Sequence, residues 1–479
     1  MVNSTEVTPP PTIITIFGAT GDLATRKLIP ALFDLFQNGY LPFSFKIVGM
    51  SRRGFSHEEY RDIAKNSIIE RTASQKEDIL EEFLSHISYT QGTFDDKESY
   101  ERLKGVLDHE ERLFGQCTNK LFYLAVPPAY YKGIFEQLAA SDLSKPCSDE
   151  TGWTRILVEK PFGNDVSTAQ ELDQVLGSLF KEEQIFRIDH YLAKEALQDI
   201  LMFRFSNTLF EPLWNKDYIE RVELTLSEKK GVDSRGAFYD GIGALRDVGQ
   251  NHLLQMLAFI AMEDPIELDA LRIRTERARV LESLRPVNSD TAGALLVRGQ
   301  YEGYKETPSV DAASQTETFF RIKTFIDNDR WQGVPFYLES GKALDEDKTE
   351  IKIYFKKTTS CLCPPGTEHH HQNILTFRIQ PDEKISILFW AKKPGLSLDL
   401  EPKELSFSYR NIPEGSRLAD AYEKVLFDGI AGDQILFAST EEVSAAWQFI
   451  TPILELWENT PLHPYAQGSK GPQVDLSSI

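Results

Sequence analysis

The chain has 479 residues, 41% hydrophobic and 26% charged, which are the proportions of a soluble globular protein with room for roughly two to four domains. Its formal net charge of −21 repels phosphate backbones and excludes nucleic acid as a partner, so any binding of phosphorylated small molecules must rest on cations gathered locally. The apolar stretch Leu253–Met262 is too short for a bilayer, Met1–Pro11 carries no secretory pattern, and four cysteines make no disulfide framework in a chain this long, so no membrane and a reducing, cytoplasmic location are expected.

Residues 1–11 are polar and Pro-rich and read as a flexible tail. Thr12–Phe17 is β-branched and apolar, the mark of a buried parallel strand, and Gly18–Gly21 break it. Ala24, Leu28, Ala31, Leu32 and Leu35 then repeat at helical spacing up to Asn38-Gly39, with Pro30 predicting a kink or a second start. Further strands are expected at Phe45–Gly49, Lys120–Val126 and Arg155–Glu159. Strands alternating with helical segments predict a doubly wound parallel sheet in a first domain over 12–187. The remainder, 188–479, changes character. Ile219–Leu226, Ala294–Tyr301, Thr316–Ile326, Glu350–Phe355, Asn373–Gln380 and Lys384–Trp390 are strand-like, with few long helices between the later ones. They predict a larger α+β domain, a mainly antiparallel sheet with helices on one face.

The turn Gly18-Ala-Thr-Gly21-Asp22-Leu23 lies between strand and helix, where glycines let backbone amides approach a pyrophosphate. The Gly-x-x-Gly spacing is shorter than the full dinucleotide fingerprint and also suits a plain turn, but its place in the first βα unit favours a nucleotide. The second strand runs into Ser51-Arg52-Arg53, where an NAD site would carry a carboxylate for the ribose hydroxyl. Guanidinium groups there suit a 2′-phosphate, so NADP is the expected cofactor.

Four further segments carry chemistry. Lys160 follows the fourth expected strand and precedes proline, which holds its backbone extended. In Arg187-Ile-Asp-His-Tyr-Leu-Ala-Lys194, the stripe Ala193, Ala196, Leu197, Ile200 and Leu201 places His190, Tyr191 and Lys194 around a helix's first turn, an anion site or a polar cap. Leu245–Leu257 reads as a buried helix in which His252 shares a face with Val248 and Met256, a setting that also suits a core histidine. On that helix Asp247 stands about 140° from His252, so the two side chains flank a common edge without directly pairing. Ser340-Gly-Lys342 ends a strand in a turn that carries a cation.

Together the segments Gly18-Ala-Thr-Gly-Asp-Leu, Glu159-Lys-Pro-Phe-Gly, Arg187-Ile-Asp-His-Tyr-Leu-Ala-Lys-Glu, Asp247-Val-Gly-Gln-Asn-His-Leu-Leu-Gln and Ser340-Gly-Lys-Ala-Leu resemble glucose-6-phosphate dehydrogenases, in order and spacing over nearly the whole chain. The resemblance implies a Rossmann-like first domain and oxidation of β-D-glucose 6-phosphate to 6-phospho-D-glucono-1,5-lactone. NADP+ would be reduced, which is the oxidative branch of the pentose phosphate pathway. It implies that His252 is the base and that Asp189 orients it. By the same resemblance His190, Tyr191 and Lys194 hold the substrate phosphate, and Lys160, Glu228, Asp247, Lys342 and Gln380 hold the sugar. Gly18, Gly21, Asp22, Leu23, Arg52, Tyr123, Pro127 and Lys160 would line the cofactor, and a homodimer or homotetramer is expected.

Some family members hold a second, structural NADP. Lys348, Lys352 and Arg378 could serve it here, but Leu388 replaces an expected lysine and no tryptophan follows Trp457, which argues against it. Cys361 and Cys363 precede His369–His371, yet nothing else in the chain calls for a metal and none is expected. The competing readings are an NAD(P)-dependent oxidoreductase of another sugar and a non-catalytic NADP-binding sensor.

Overall fold

The computed structural model describes residues 10–71, 76–148, 151–357, 371–409 and 417–474. Its strands, in chain order, are β1 (Thr12–Phe17), β2 (Phe45–Ser51), β3 (Ile87–Gln91), β4 (Asn119–Leu124), β5 (Thr154–Glu159), β6 (Ile185–Ile188), β7 (Ile219–Ser227), β8 (Leu296–Tyr301), β9 (Phe319–Thr324), β10 (Phe336–Gly341), β11 (Lys348–Phe355), β12 (Ile374–Gln380), β13 (Lys384–Lys392), β14 (Leu400–Ser408), β15 (Phe437–Ala438) and β16 (Leu462–Tyr465). The chain forms two compact units. One comprises 1–163, 167–193 and 419–440; the other comprises 164–166, 194–418 and 441–479.

The first unit is built on a seven-stranded sheet in the order β15-β6-β5-β4-β1-β2-β3. Its strands run parallel except β15, which pairs antiparallel with β6. β1 is buried along its whole length, as its unbroken β-branched run requires of a central parallel strand. Helix follows β1 in two pieces: a π-helical turn Ala24–Leu28 and then the α-helix Ile29–Gln37, which has Pro30 in its first turn. Proline costs nothing there because the first N–H groups of a helix have no internal partner. Three strands beyond the expected set extend the sheet, β3 on one side and β6 with β15 on the other.

A disulfide joins Cys117 to Cys147, which corrects the expectation that the cysteines stay reduced. The start of β4 lies against the segment before β5, where Lys120 N–H donates to Trp153 O, and the two Cα atoms come within 5.8 Å. Cys361 and Cys363 lie outside the described residues.

The second unit carries a nine-stranded sheet, β14-β13-β12-β11-β7-β10-β9-β8-β16, mainly antiparallel, with β7–β10 and β8–β16 paired in parallel. β12 alternates buried and part-buried residues, the pattern of a sheet with one covered face. Phe377 of β12 packs edge-on to Phe203 of the helix Glu195–Phe205. Among the described residues no helix is long and apolar enough to cross a membrane.

Candidate active site

In the first unit the strand order reverses between β1 and β4, and an open parallel sheet binds ligands beside such a reversal, at the strands' carboxyl ends. Gly18 leaves β1 with φ +77°, and a Cβ there would lie 2.2 Å from Ala125 O, just past β4. Only glycine allows this approach. Gly21 N–H closes the turn on Gly18 O at 2.8 Å. Leu23 leads into the first helix, while Asp22 is exposed and pairs with Arg26 at 2.8 Å. Pro127 follows β4, exposed. At the end of β2 the buried Ser51 Oγ bonds Thr20 Oγ1 at 3.1 Å and Tyr89 OH at 2.7 Å, and Arg52 and Arg53 are exposed beyond it.

Lys160 follows β5 through a cis bond to Pro161, and Asp189 and His190 follow β6. Tyr123 is fully buried and donates from its hydroxyl to Glu159 Oε1 at 2.6 Å, so its bearing on any ligand runs through Glu159 and the residue after it. Tyr131 OH donates to Glu159 O at 2.8 Å. Burial is the main cause that raises the Glu159 carboxyl to about 7; the Tyr123 hydrogen bond and Lys160 oppose it, and Asp189 adds to it. His190 lies parallel to the Tyr422 ring at 5.9 Å, interplanar angle 14°.

The expectation that His190, Tyr191 and Lys194 share a helix's first turn needs correction. The helix starts at Glu195 with Lys194 as its N-cap. Ahead of it Asp189 closes a turn of its own, accepting Tyr191 N–H on Oδ1 and Leu192 N–H on its carbonyl, each at 3.0 Å. A short acidic side chain that bonds nearby amides competes with helix in this way.

In the second unit Glu228 and Lys342 stand just past the carboxyl ends of the neighbouring parallel strands β7 and β10, with Glu228 N–H bonded to Gly341 O at 2.9 Å. Lys342 is 7% exposed. Its Nζ pairs with Glu228 Oε2, lies 3.6 Å from Asp247 Oδ2 and stands 5.3 Å over the Tyr239 ring. Gln380 ends β12 opposite Thr349 of β11, and Lys348 of β11 lies opposite Ser227 of β7. Gln380, Glu228 and Lys342 therefore belong to one end of this sheet.

His252 is buried, and its backbone N–H donates to Asn251 Oδ1 at 2.7 Å. The segment Leu245–Leu253 is π-helical and passes into the α-helix Leu254–Ala261. Residues five apart face nearly the same way where the bonding is i→i+5, so Asp247 and His252 lie along a common edge, as expected, and nearer in rotation than the roughly 140° of an α-helix. The buried Glu350 carries Lys352 and Arg378 at 2.8 Å and Lys348 at 3.5 Å, so those three cations already surround an anion. Of the Cys361–His371 segment only His371 is described; its ring centre lies 4.3 Å from that of Trp390.

Sequence reasoning missed Glu159, Tyr131 and Tyr422. Glu159 had a signal, a carboxylate at the end of an apolar strand; Tyr422 had none, because it returns to the first unit from far down the chain.

Two family models match: "Glucose-6-phosphate dehydrogenase, NAD binding domain" over residues 15–199 and "Glucose-6-phosphate dehydrogenase, C-terminal domain" over 201–477. The chain is 41% identical over 470 residues to glucose-6-phosphate 1-dehydrogenase 5, cytoplasmic, of Arabidopsis thaliana, covering 96% of this chain and 89% of the relative. It is 39% identical to glucose-6-phosphate 1-dehydrogenase of Bacillus subtilis, covering 97% and 96%. A solved glucose-6-phosphate dehydrogenase in complex with its substrate glucose 6-phosphate is similar with TM-score 0.91 at 35% identity, covering 98% of this chain and 97% of that one.

Proposed function

The chain belongs to the glucose-6-phosphate dehydrogenase family, and on that premise we propose that it oxidises β-D-glucose 6-phosphate to 6-phospho-D-glucono-1,5-lactone and reduces NADP+. The observation that carries the reading is the buried Lys342 held between Glu228 and Asp247 on the helix of His252. That arrangement offers one cation and two carboxylates, the donor and acceptors that sugar hydroxyls need.

In this reading His252 takes the proton from the anomeric hydroxyl as hydride leaves the same carbon, and Asp189 orients the imidazole and stabilises its charged form. His190, Tyr191 and Lys194 bind the substrate phosphate, with Lys194 at the positive end of the helix Glu195–Phe205. Lys160, Glu228, Asp247, Lys342 and Gln380 fix the sugar. When bound, NADP+ supplies the ring that accepts the hydride. Gly18, Gly21, Asp22, Leu23, Arg52, Pro127, Lys160 and, through Glu159, Tyr123 form its cradle. NADP over NAD is supported by the end of β2, which offers Arg52 and Arg53 and the hydroxyl of Ser51 but no carboxylate.

The division into 12–187 and 188–479 corresponds to these cofactor and substrate roles; of the expected tail 1–11, residues 1–9 lie outside the described residues, and Pro11 is buried with its carbonyl accepting Asn119 N–H at 2.8 Å. The product NADPH places the enzyme in the oxidative pentose phosphate branch, and the name of the Arabidopsis relative supports a cytoplasmic setting. Leu405 and Phe407, 60% and 55% exposed on β14, offer apolar area suited to a homodimer or homotetramer.

Initial rates with glucose 6-phosphate and with glucose, each against NADP and NAD, test the reading. Wild type should reduce NADP with the phosphorylated sugar far faster than with glucose and should prefer NADP. His252→Ala should lose about a hundredfold or more in kcat, with Asp189→Asn also strongly impaired. Equal rates with glucose, or an indifferent His252→Ala, would overturn it.

A further inference from the structure

The π-helical segment Leu245–Leu253 carries both Asp247 and His252, and what fixes its first turn fixes both. Its N-cap residue, Ala244, has no side chain that could accept a hydrogen bond, and a helix start without an acceptor is loosely anchored. The acceptor comes from a distant segment. Glu317 Oε1 accepts Leu245 N–H at 3.0 Å, and Glu317 O accepts Ala244 N–H at 3.1 Å. Gly243 makes the room: it has φ +77°, and a Cβ there would lie 2.1 Å from the Glu317 carboxyl.

The residue after Glu317 holds the other side of the sugar site. Thr318 O accepts Lys342 N–H at 2.9 Å, and Lys342 Nζ reaches Asp247 at 3.6 Å. A closed ring results: Glu317 to Leu245, along the helix to Asp247, across to Lys342, and back to Thr318.

We propose that Glu317 is a positioning residue for the dehydrogenase reaction, its carboxylate setting the start, and hence the rotation, of the helix that presents His252 and Asp247. It touches no reacting atom and acts through Leu245. The inference rests on the reading of His252 as the base.

Glu317 also faces a cleft of about 470 Å³ lined by Arg246, Arg298, Gln315, Trp457 and Glu458, which gives its proton a route to solvent. Burial is the main cause that raises its carboxyl to about 7; the Leu245 and Glu317 N–H groups, Arg246 and Arg298 oppose it. The Tyr239 hydroxyl donates to Glu317 O at 3.5 Å. The carboxylate is therefore charged above about pH 7 and neutral below, and the anion is the form that a helix start attracts.

The test is kcat of the full-length enzyme with glucose 6-phosphate and NADP between pH 6 and 8.5, with thermal unfolding in parallel. Glu317→Gln keeps an oxygen for Leu245 but stays neutral. Its kcat should be about tenfold below wild type at pH 8.5, with the ratio closing toward one near pH 6, KM for NADP within about twofold, and a melting temperature no lower than wild type. Glu317→Asp keeps the charge but draws it one methylene back, and should lose kcat at every pH. Unchanged kcat in either variant, a ratio independent of pH, or a loss tracking a lower melting temperature overturns the proposal. A wild type inactive with glucose 6-phosphate would instead sink the reading of function.

Discussion

Lys342 is nearly buried and faces Glu228 and Asp247. An ion pair at such a site is worth less than its geometry suggests, but removing one partner leaves uncompensated charge. Lys342→Met keeps the apolar stem and deletes the ammonium, leaving two carboxylates with the cation gone and the sugar without its donor. The expected outcome is a KM for glucose 6-phosphate raised at least about tenfold, a loss of about 1.4 kcal/mol or more, with KM for NADP little changed. Steady-state kinetics in both substrates check it, and an unchanged sugar KM would remove Lys342 from the site. The same residue shows how little a single position discloses. Ser340-Gly-Lys342 reads in the sequence as a turn with a solvated cation, and its burial follows from the pairing of β10 with β7, which no local pattern encodes.

The strands with unbroken β-branched runs or clear alternation, β1, β2, β4, β5, β7, β11, β12 and β13, were legible because burial leaves a periodic trace. β3, with Ser88, Thr90 and Gln91, lacks an apolar run, and β6 and β15 are too short for any period to show. The helix Ala421–Ala431 belongs to the first unit only by tertiary packing, so Tyr422 beside His190 lay beyond sequence reasoning. The π-helical stretch was also invisible, since its residues satisfy the α-helical pattern. Its continuation ends firmly: Arg204 donates to the carbonyls of Phe259, Ile260 and Met262, and the indoles of Trp214 and Trp331 to those of Ile260 and Ala261. These side chains satisfy carbonyls that a helix end leaves open. An equally local tie in the first unit is the Cys117–Cys147 bond, which closes a sequence separation of 30. Loop-closure entropy assigns it about 3.6 kcal/mol. Cys117→Ser should therefore lower the melting temperature by several degrees without changing either KM, and dithiothreitol should do the same to wild type. A melting curve indifferent to both would show that the bond does not form in solution.

At the scale of the whole molecule, net charge and buried carboxyls push stability in one direction. Burial is the main cause that raises Glu159 and Glu317 to about 7 and Asp428 to about 6. A carboxyl whose folded value lies above its unfolded one stabilises the fold while it is protonated, and that contribution goes as pH climbs through the folded value. These contributions are therefore present in full below about pH 4, where carboxyls of the unfolded chain titrate, and are gone by about pH 6 for Asp428 and about pH 7 for the two glutamates, while at neutral pH the formal charge of −21 also repels itself across the surface. Thermal stability should peak on the acid side of neutrality and decline by several degrees from about pH 5 to 7.5, levelling off above that, and about 0.5 M salt should recover the surface part of that loss but not the buried part. Calorimetry at four pH values with and without salt measures this; a melting temperature flat or rising with pH would mean that the buried carboxyls titrate normally. The charged Glu317, which no longer contributes that stability above about pH 7, is the form that anchors the helix of His252, so activity should climb as pH passes through about 7, where the last of the linked stability is lost. Glu317→Gln should uncouple the two by flattening part of the stability slope and removing part of the gain in rate.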